Sequence, residues 1–303
     1  MSSDVADEVC ASCGVAAIDD VKLKDCDAGC DLVKYCSDVC QRNNREQHDG
    51  ECKKRLAEIR ERDLFEQPDG SHLGECPICC LPLPLQNSKY AMMSCCSKLV
   101  CNGCNYANSR REYEAGLERR CAFCREPAPK SQEAADKRLI KRVKKNDPIA
   151  MCRMGQVRKE EGDYETALNY LTKAAELGDM VAHNALSHIY CDGDGVEKDK
   201  GKGMHHLEEA AIGGNPEARH NLGCTELQRG RFERTRKHFI IAANLGDHDS
   251  LGKVKLLYAK GHASKEDYAD ALRGYQAAVQ ATKSAERDEA DAVWKLHEAF
   301  QGS

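Results

Sequence analysis

Cysteines are the residues of this chain best suited to chemistry, and their spacing restricts what that chemistry is. Of 19 cysteines, 16 lie at or before Cys124, and only Cys152, Cys191 and Cys224 follow. The first stretch reads Cys10-x2-Cys13, Cys26-x3-Cys30, Cys36-x3-Cys40 and His48-x3-Cys52. The second reads Cys76-x2-Cys79, the doublet Cys95-Cys96, Cys101-x2-Cys104 and Cys121-x2-Cys124. Zinc takes four sulfur or nitrogen ligands tetrahedrally, and a pair two or three residues apart lets one turn supply two of them. Eight donors in each stretch therefore predict two sites apiece, four structural zinc ions per chain. Between Cys10 and Cys52 too few residues are present for apolar burial to hold a fold, so metal supplies most of the folding energy there.

YCSDVCQ at 35–41, followed by His48 and Cys52, resembles the MYND zinc finger, whose pattern ends in tyrosine-cysteine-serine, cysteine-glutamine, then histidine and cysteine. The resemblance implies interleaved sites, with Cys10, Cys13, Cys36 and Cys40 on one ion and Cys26, Cys30, His48 and Cys52 on the other. Two positions depart from the family: Cys26 and Cys30 are separated by three residues rather than two, and Arg45 stands where tryptophan is usual.

ECPIC at 75–79 and CAFCREP at 121–127 resemble the start and end of a RING finger, here in an all-cysteine form. A RING cross-brace implies Cys76, Cys79, Cys101 and Cys104 on one zinc and Cys95, Cys96, Cys121 and Cys124 on the other. Adjacent cysteines point apart along an extended chain, so Cys95 and Cys96 need a tight local bend to serve one ion. Cys80 is left over and reads as a small buried hydrophobe. In RING ubiquitin ligases an apolar residue of the first zinc loop and a basic residue after the final ligand meet the conjugating enzyme and its ubiquitin. Ile78 and Arg125 match those positions, whereas Ala122 replaces the family's proline and no tryptophan lies between Cys104 and Cys121.

The elements that must position these residues follow from the rest of the chain. Residues 1–9 read as a flexible N-terminus, 10–52 as the first finger and 53–75 as a helical linker, with Lys53 to Phe65 a charged amphipathic helix stopped by Pro68 and Gly70. His72 reads as a solvated loop histidine. Residues 76–126 form the second finger and 127–147 a proline-bounded linker around a basic helix, whose Lys137, Arg138, Lys141, Arg142, Lys144 and Lys145 form a solvated face or a nuclear import signal. Beyond it the sequence repeats: Ala-Ala recurs at 174, 210 and 242, steps of 36 and 32 residues, and Leu-Gly at 177 returns at 245. A period in this range predicts stacked helical hairpins. Ala182, Leu186 and Tyr190 share one face of a first helix, and Leu207, Ala210 and Ala211 face inward from a second. Small residues at repeated positions permit close helix approach, and neighbouring pairs must stack to bury their faces. The stretch from about 150 to 278, with GDGVEKD at 193–199, resembles Sel-one-like repeats, relatives of tetratricopeptide repeats. About four such repeats are expected over 148–280, with 281–303 a capping helix. The fold class is thus two small zinc-stabilised cross-brace domains followed by an all-α superhelical repeat domain.

Composition narrows the function. With 45 basic against 50 acidic residues, the formal charge of -5 gives no global reason to expect nucleic acid. No apolar run reaches the roughly 18–20 residues that cross a bilayer, and the opening MSSDVADEVCAS has neither a basic n-region nor an apolar h-region. A thiol-rich chain of this kind is expected in a reducing compartment, cytoplasmic or nuclear. No P-loop, dinucleotide glycine pattern or nucleophile elbow is present in the sequence. The expected partners are proteins, held by the first finger and by the concave face of the repeats. The resemblance to RING fingers makes the function a scaffold-type ubiquitin ligase that recruits a conjugating enzyme through Ile78 and Arg125. The alternative is a non-catalytic adaptor binding proteins through all three modules.

Overall fold

The computed structural model describes residues 9–15, 17 and 22–301. The expected flexible N-terminus falls almost wholly outside them. The chain divides after Glu66 into two units.

The first unit has a core made largely of its own metal-type donors: Cys10, Cys26, Cys30, Tyr35 and Cys52, flanked by Leu23, Val33 and Leu56. Strands β1 (Lys24–Asp25) and β2 (Lys34–Tyr35) pair antiparallel, Lys24 opposite Tyr35. Ser37 then caps helix α1 (Asp38–Phe65), its hydroxyl accepting from the Cys40 N–H at 3.3 Å. The expected linker helix from Lys53 is not a separate element, because α1 runs unbroken for 28 residues and itself carries Cys40, His48 and Cys52. Its span holds no proline and starts with a serine cap followed by Asp38, so nothing local stops it at Cys52.

In the second unit, strands β3 (Tyr90–Met92) and β4 (Leu99–Cys101) form a hairpin with Tyr90 opposite Cys101. The hairpin leads directly into helix α2 (Asn102–Glu114). Cys76, Leu83, Val100 and Cys101 are the buried centre of this module. The basic helix α3 (Gln132–Val143) is not a tether: its Leu139 is buried with Ala150 and Met154 of α4 (Pro148–Glu160), and Met92 of β3 packs on the same cluster. Three of its basic residues are engaged within the chain. Arg138 donates to the Pro127 carbonyl at 2.6 Å, the Arg142 Nε to Asp147 at 2.8 Å, and Lys137 pairs with Glu133 at 2.7 Å.

Four helix pairs follow: α4 with α5 (Tyr164–Glu176), α6 (Met180–Asp192) with α7 (Lys200–Ile212), α8 (Pro216–Gln228) with α9 (Phe232–Asn244), and α10 (His248–Ala259) with α11 (Lys265–Ala281). The first helix of each pair is capped by the residue before it, Asp147, Asp179, Asn215 or Asp247, whose side chain accepts a first-turn backbone N–H. Gly178, Gly214 and Gly246 stand immediately before three of these caps at φ 84°, 81° and 97°, a left-handed turn that favours glycine. Within the pairs, a Cβ on Gly155 would lie 2.6 Å from Leu171, and one on Gly223 would lie 2.6 Å from Phe239. Those glycines are what lets the two helices touch. Ala182 and Leu186 are fully buried as their shared face requires, while Tyr190 is half-buried and stacks on His206. Of the late cysteines, Cys152 is buried and Cys191 and Cys224 are half-buried.

Helix α12 (Ala285–Gln301) does not cap the last pair as expected; it packs on α2 of the cysteine module. The module is in turn seated along the repeats. The His72 N–H donates to the Gly214 carbonyl at 3.0 Å, and Asn244 donates to the Gln67 side chain at 3.1 Å. A Cβ on Gly214 would lie 2.6 Å from the Gly70 carbonyl oxygen. His72 is thus not a solvated loop residue: it is half-buried at this junction, and burial lowers its pKa below the usual histidine value. The turns at Gly214 and Asn244 therefore already hold part of the chain. A channel of about 1980 Å³ remains there, lined by Met92, Arg153, Asn184, His188 and Glu217 among others.

Candidate metal centres

Knuckle turns place most of the donors. At Cys10, Cys76 and Cys121 the chain makes the same turn, in which the cysteine N–H donates to the carbonyl five residues on (Val15, Leu81, Glu126) at 2.8, 3.0 and 2.7 Å. The cysteine carbonyl accepts from the residue four on (Gly14, Cys80, Arg125) at 2.9, 2.9 and 3.1 Å. Those three residues are left-handed, at φ 75°, 54° and 65°. Such a turn aims the first and fourth side chains at a common point and favours glycine at the fifth position. Only the first knuckle has glycine there. Cys80 is therefore an exposed turn residue rather than the buried hydrophobe its composition suggested.

The sixteen donors come together in four groups: Cys10, Cys13, Cys36 and Cys40; Cys26, Cys30, His48 and Cys52; Cys76, Cys79, Cys101 and Cys104; Cys95, Cys96, Cys121 and Cys124. Within each group the ligand atoms all lie within 4.8 Å of one another. Sulfur separations are 3.6 Å for Cys13 to Cys36, 3.5 Å for Cys36 to Cys40, 4.0 Å for Cys26 to Cys52, 3.8 Å for Cys79 to Cys101 and 3.9 Å for Cys96 to Cys121. A tetrahedron with zinc–sulfur bonds of about 2.3 Å has edges of roughly 3.8 Å, whereas a disulfide needs about 2.05 Å. The donor sets fit zinc and do not fit disulfides. The doublet meets its geometric demand because Ser97, directly after it, turns back at φ 57°, and Cys95 approaches Cys124 to 3.3 Å.

The electrostatics of the thiols point the same way. Burial raises the Cys10 thiol, but the backbone N–H groups of Cys36, Cys13 and Ser12 outweigh it and bring its pKa down to about 6. Burial likewise acts on Cys76, and the N–H groups of Cys79, Cys101 and Ile78 bring it to about 7. Cys36 is pushed up to about 12 by its contacts with Cys40, Cys13 and Cys10. Cys10 and Cys76 thus ionise readily, whereas Cys36 resists ionisation among its neighbouring sulfurs, an opposition that a bound cation relieves. Helix α2 adds to this, since the Cys101 sulfur is its N-cap and accepts the Cys104 N–H at 3.4 Å, where the helix end favours negative charge.

The two residues expected to meet a conjugating enzyme lie near one another, lining a groove of about 760 Å³ with Ala122, Ala107 and Arg111. Ile78 is 42% exposed there, large for an apolar side chain. Arg125 remains exposed, but its guanidinium is fixed by bonds to Asn108 at 2.5 Å and to the buried Glu112 at 2.6 Å. Glu112 also accepts the Arg120 N–H at 2.9 Å, and that bond, then Arg125, holds its carboxyl below the usual glutamate range. No spacing in the sequence singled out Glu112. The other wall of the groove belongs to Ser284, Glu286 and Arg287 at the start of α12, which nothing local to the cysteines announced.

Residues 10–52 match the family model of the MYND finger, and residues 148–179 and 181–215 match that of the Sel1 repeat. The chain thus joins a zinc-binding finger of MYND type to a Sel1-type helical repeat domain, an architecture of protein-interaction modules. Among solved structures, a Sel1 repeat protein from Oxalobacter formigenes is 26% identical with a TM-score of 0.44, over 59% of this chain and 72% of that one. A protective antigen present in uropathogenic Escherichia coli strains, displaying an SLR fold, is 17% identical with a TM-score of 0.42, over 60% of this chain and 38% of its own length. A comparison with curated proteins gives no match.

Proposed function

We propose that this protein is an adaptor whose four zinc ions, one per donor set, hold interaction surfaces in shape. The observation that carries this reading is that each set supplies four protein donors, the pattern of closed structural zinc rather than of a catalytic ion with an open position. The channel beside α4, α6 and α8 is the surface for a partner peptide or helix. Its Arg153, Asn184, His188 and Glu217 offer both hydrogen-bond donors and acceptors to an extended backbone. The many free thiols suit a reducing compartment, cytoplasmic or nuclear. Replacing Asn184 by Ala together with Glu217 by Gln is expected to remove a subset of the proteins that co-purify with the full chain. Zinc content and far-ultraviolet circular dichroism should stay unchanged. An unaltered set of partners in quantitative mass spectrometry would place binding elsewhere.

A second reading, a RING-type ubiquitin ligase, is favoured by the exposure of Ile78 on the groove between α2 and the knuckles. Here the module carries no chemistry of its own and works by orienting a charged conjugating enzyme. Under this reading, reconstitution with a panel of conjugating enzymes gives ubiquitin transfer that Ile78→Ala abolishes at unchanged zinc content, and that Arg125→Ala slows. Absence of transfer by the zinc-replete wild type across the panel leaves the adaptor reading alone.

A further inference from the structure

Arg287 is a buried cation of the second unit placed against a metal-type donor set. It is 7% exposed, at the start of α12, and its guanidinium lies beside a donor set more than 180 residues earlier in the chain. Nη1 donates to the Pro82 carbonyl at 2.7 Å and to that of Thr282 at 2.8 Å. Nη2 donates to the Leu81 carbonyl at 3.2 Å and to the Cys79 sulfur at 3.3 Å. Cys101 of the same set also contacts the guanidinium. None of these partners is a carboxylate. A buried guanidinium costs several kcal/mol unless a negative charge compensates it. Zinc held by four thiolates supplies one, since the dication leaves the set with a formal charge of two negative.

The rest of α12 is fitted to keep Arg287 in place. A Cβ on Gly103, between the ligands Cys101 and Cys104, would lie 2.8 Å from the backbone nitrogen of Arg287, so α12 rests directly on the backbone of α2. Further along, Asp291 pairs with Lys89 at 2.5 Å and Glu289 with Arg110. Both ion pairs join α12 to the cysteine module.

We propose that Arg287 is the charge partner of the Cys76, Cys79, Cys101 and Cys104 metal site, and that through it metal loading and the docking of α12 stabilise each other. Bonds from a fixed donor to a zinc-bound thiolate lower the charge on sulfur and hold the ligand in its orientation; removing such outer partners typically weakens metal binding about 10- to 100-fold. The converse follows by linkage: what the bound ion gains from the Arg287 contact, the docking of α12 gains from the ion, so losing the metal removes the counter-charge and loosens α12 from α2. Because α12 also walls the groove at Ile78, loss of this one ion opens that surface.

The inference rests on this donor set being a zinc site, which metal analysis of the wild type tests separately. The experiment follows zinc transfer from the full-length, zinc-loaded chain to a chromogenic chelator, with alkylation and mass spectrometry to locate the cysteines exposed. Arg287→Met is expected to release one zinc about 10- to 100-fold faster. Alkylation should then be confined to Cys76, Cys79, Cys101 and Cys104, and hydrogen exchange through residues 285–296 should be accelerated. Arg287→Lys should recover most of the wild-type rate, because it keeps the charge. Gly103→Ala, which keeps Arg287 but levers α12 away from α2, should labilise the same ion. Wild-type release rates in Arg287→Met, equal acceleration at every donor set, or failure of lysine to rescue would each overturn the proposal. A wild-type protein with no zinc at these four cysteines would overturn instead the metal reading beneath it.

Discussion

Cys36→Ser is expected to unfold the first unit and to cost that unit both of its zinc ions. Structural zinc contributes on the order of 10–16 kcal/mol to the folding of small finger domains. Little else is available here, since four of the five residues at the buried centre are cysteines. Cys36 lies 3.6 Å from Cys13 and 3.5 Å from Cys40, so a serine there leaves three donors around the first ion. Damage spreads to the second ion through α1, because Cys40 of one set and His48 and Cys52 of the other are carried by that single helix. Metal analysis should show a loss of two zinc ions relative to wild type, and trypsin should cleave between Arg42 and Arg62. The repeat helices, which contain none of the sixteen donors, should keep their far-ultraviolet signal with or without chelator. A finger that stays protease-resistant in the variant would mean that its fold does not depend on metal.

The second large effect is expected from Phe239→Ala, at about 3–5 kcal/mol. Phe239 is fully buried on α9 in a cluster with Ala243, Leu251, Val254, Leu257, Ala263 and Ala271. Its ring also presses on Gly223, which has no side chain to move into the space the ring leaves, so collapse around the cavity is limited. Contacts in repeat arrays are between neighbours, and destabilisation should remain near its source. Chemical denaturation followed at 222 nm should show a lowered midpoint, and hydrogen exchange should rise in α8 to α11 well before α4 and α5. Adding Gly223→Ala to the variant should restore part of the loss by filling the vacated space. A loss under about 1 kcal/mol, or uniform loosening of all helices, would contradict this account of the stack.

Much of the candidate site was legible because its information is local. A Cys-x2-Cys pair is closed by one turn whose hydrogen bonds lie within five residues, so spacing alone brings its two sulfurs together. The ligand grouping came from the family resemblances, and the donor atoms do gather in those sets. The repeat period was equally readable, since the Gly-Asp or Gly-Asn turn before α6, α8 and α10 and the small residues at helix crossings recur with it. Less was legible where two signals met: the boundary placed at Cys52 followed the last ligand, whereas the backbone follows its own cap at Ser37 and has no reason to stop.

Local information fixes the closely spaced cysteine pairs and the stack of helix pairs, because turn geometry and helical periodicity act over spans of a few to some tens of residues; the division of the donors into four sets is what the family resemblances imply. Only the tertiary structure decided that the second cysteine module is seated along the repeats, that Glu112 holds Arg125, and that α12 leaves the stack to place Arg287 on Cys79. Those contacts join residues far apart in the chain. They depend on the shapes and charges of surfaces that exist only once each module has folded, and no short spacing encodes them.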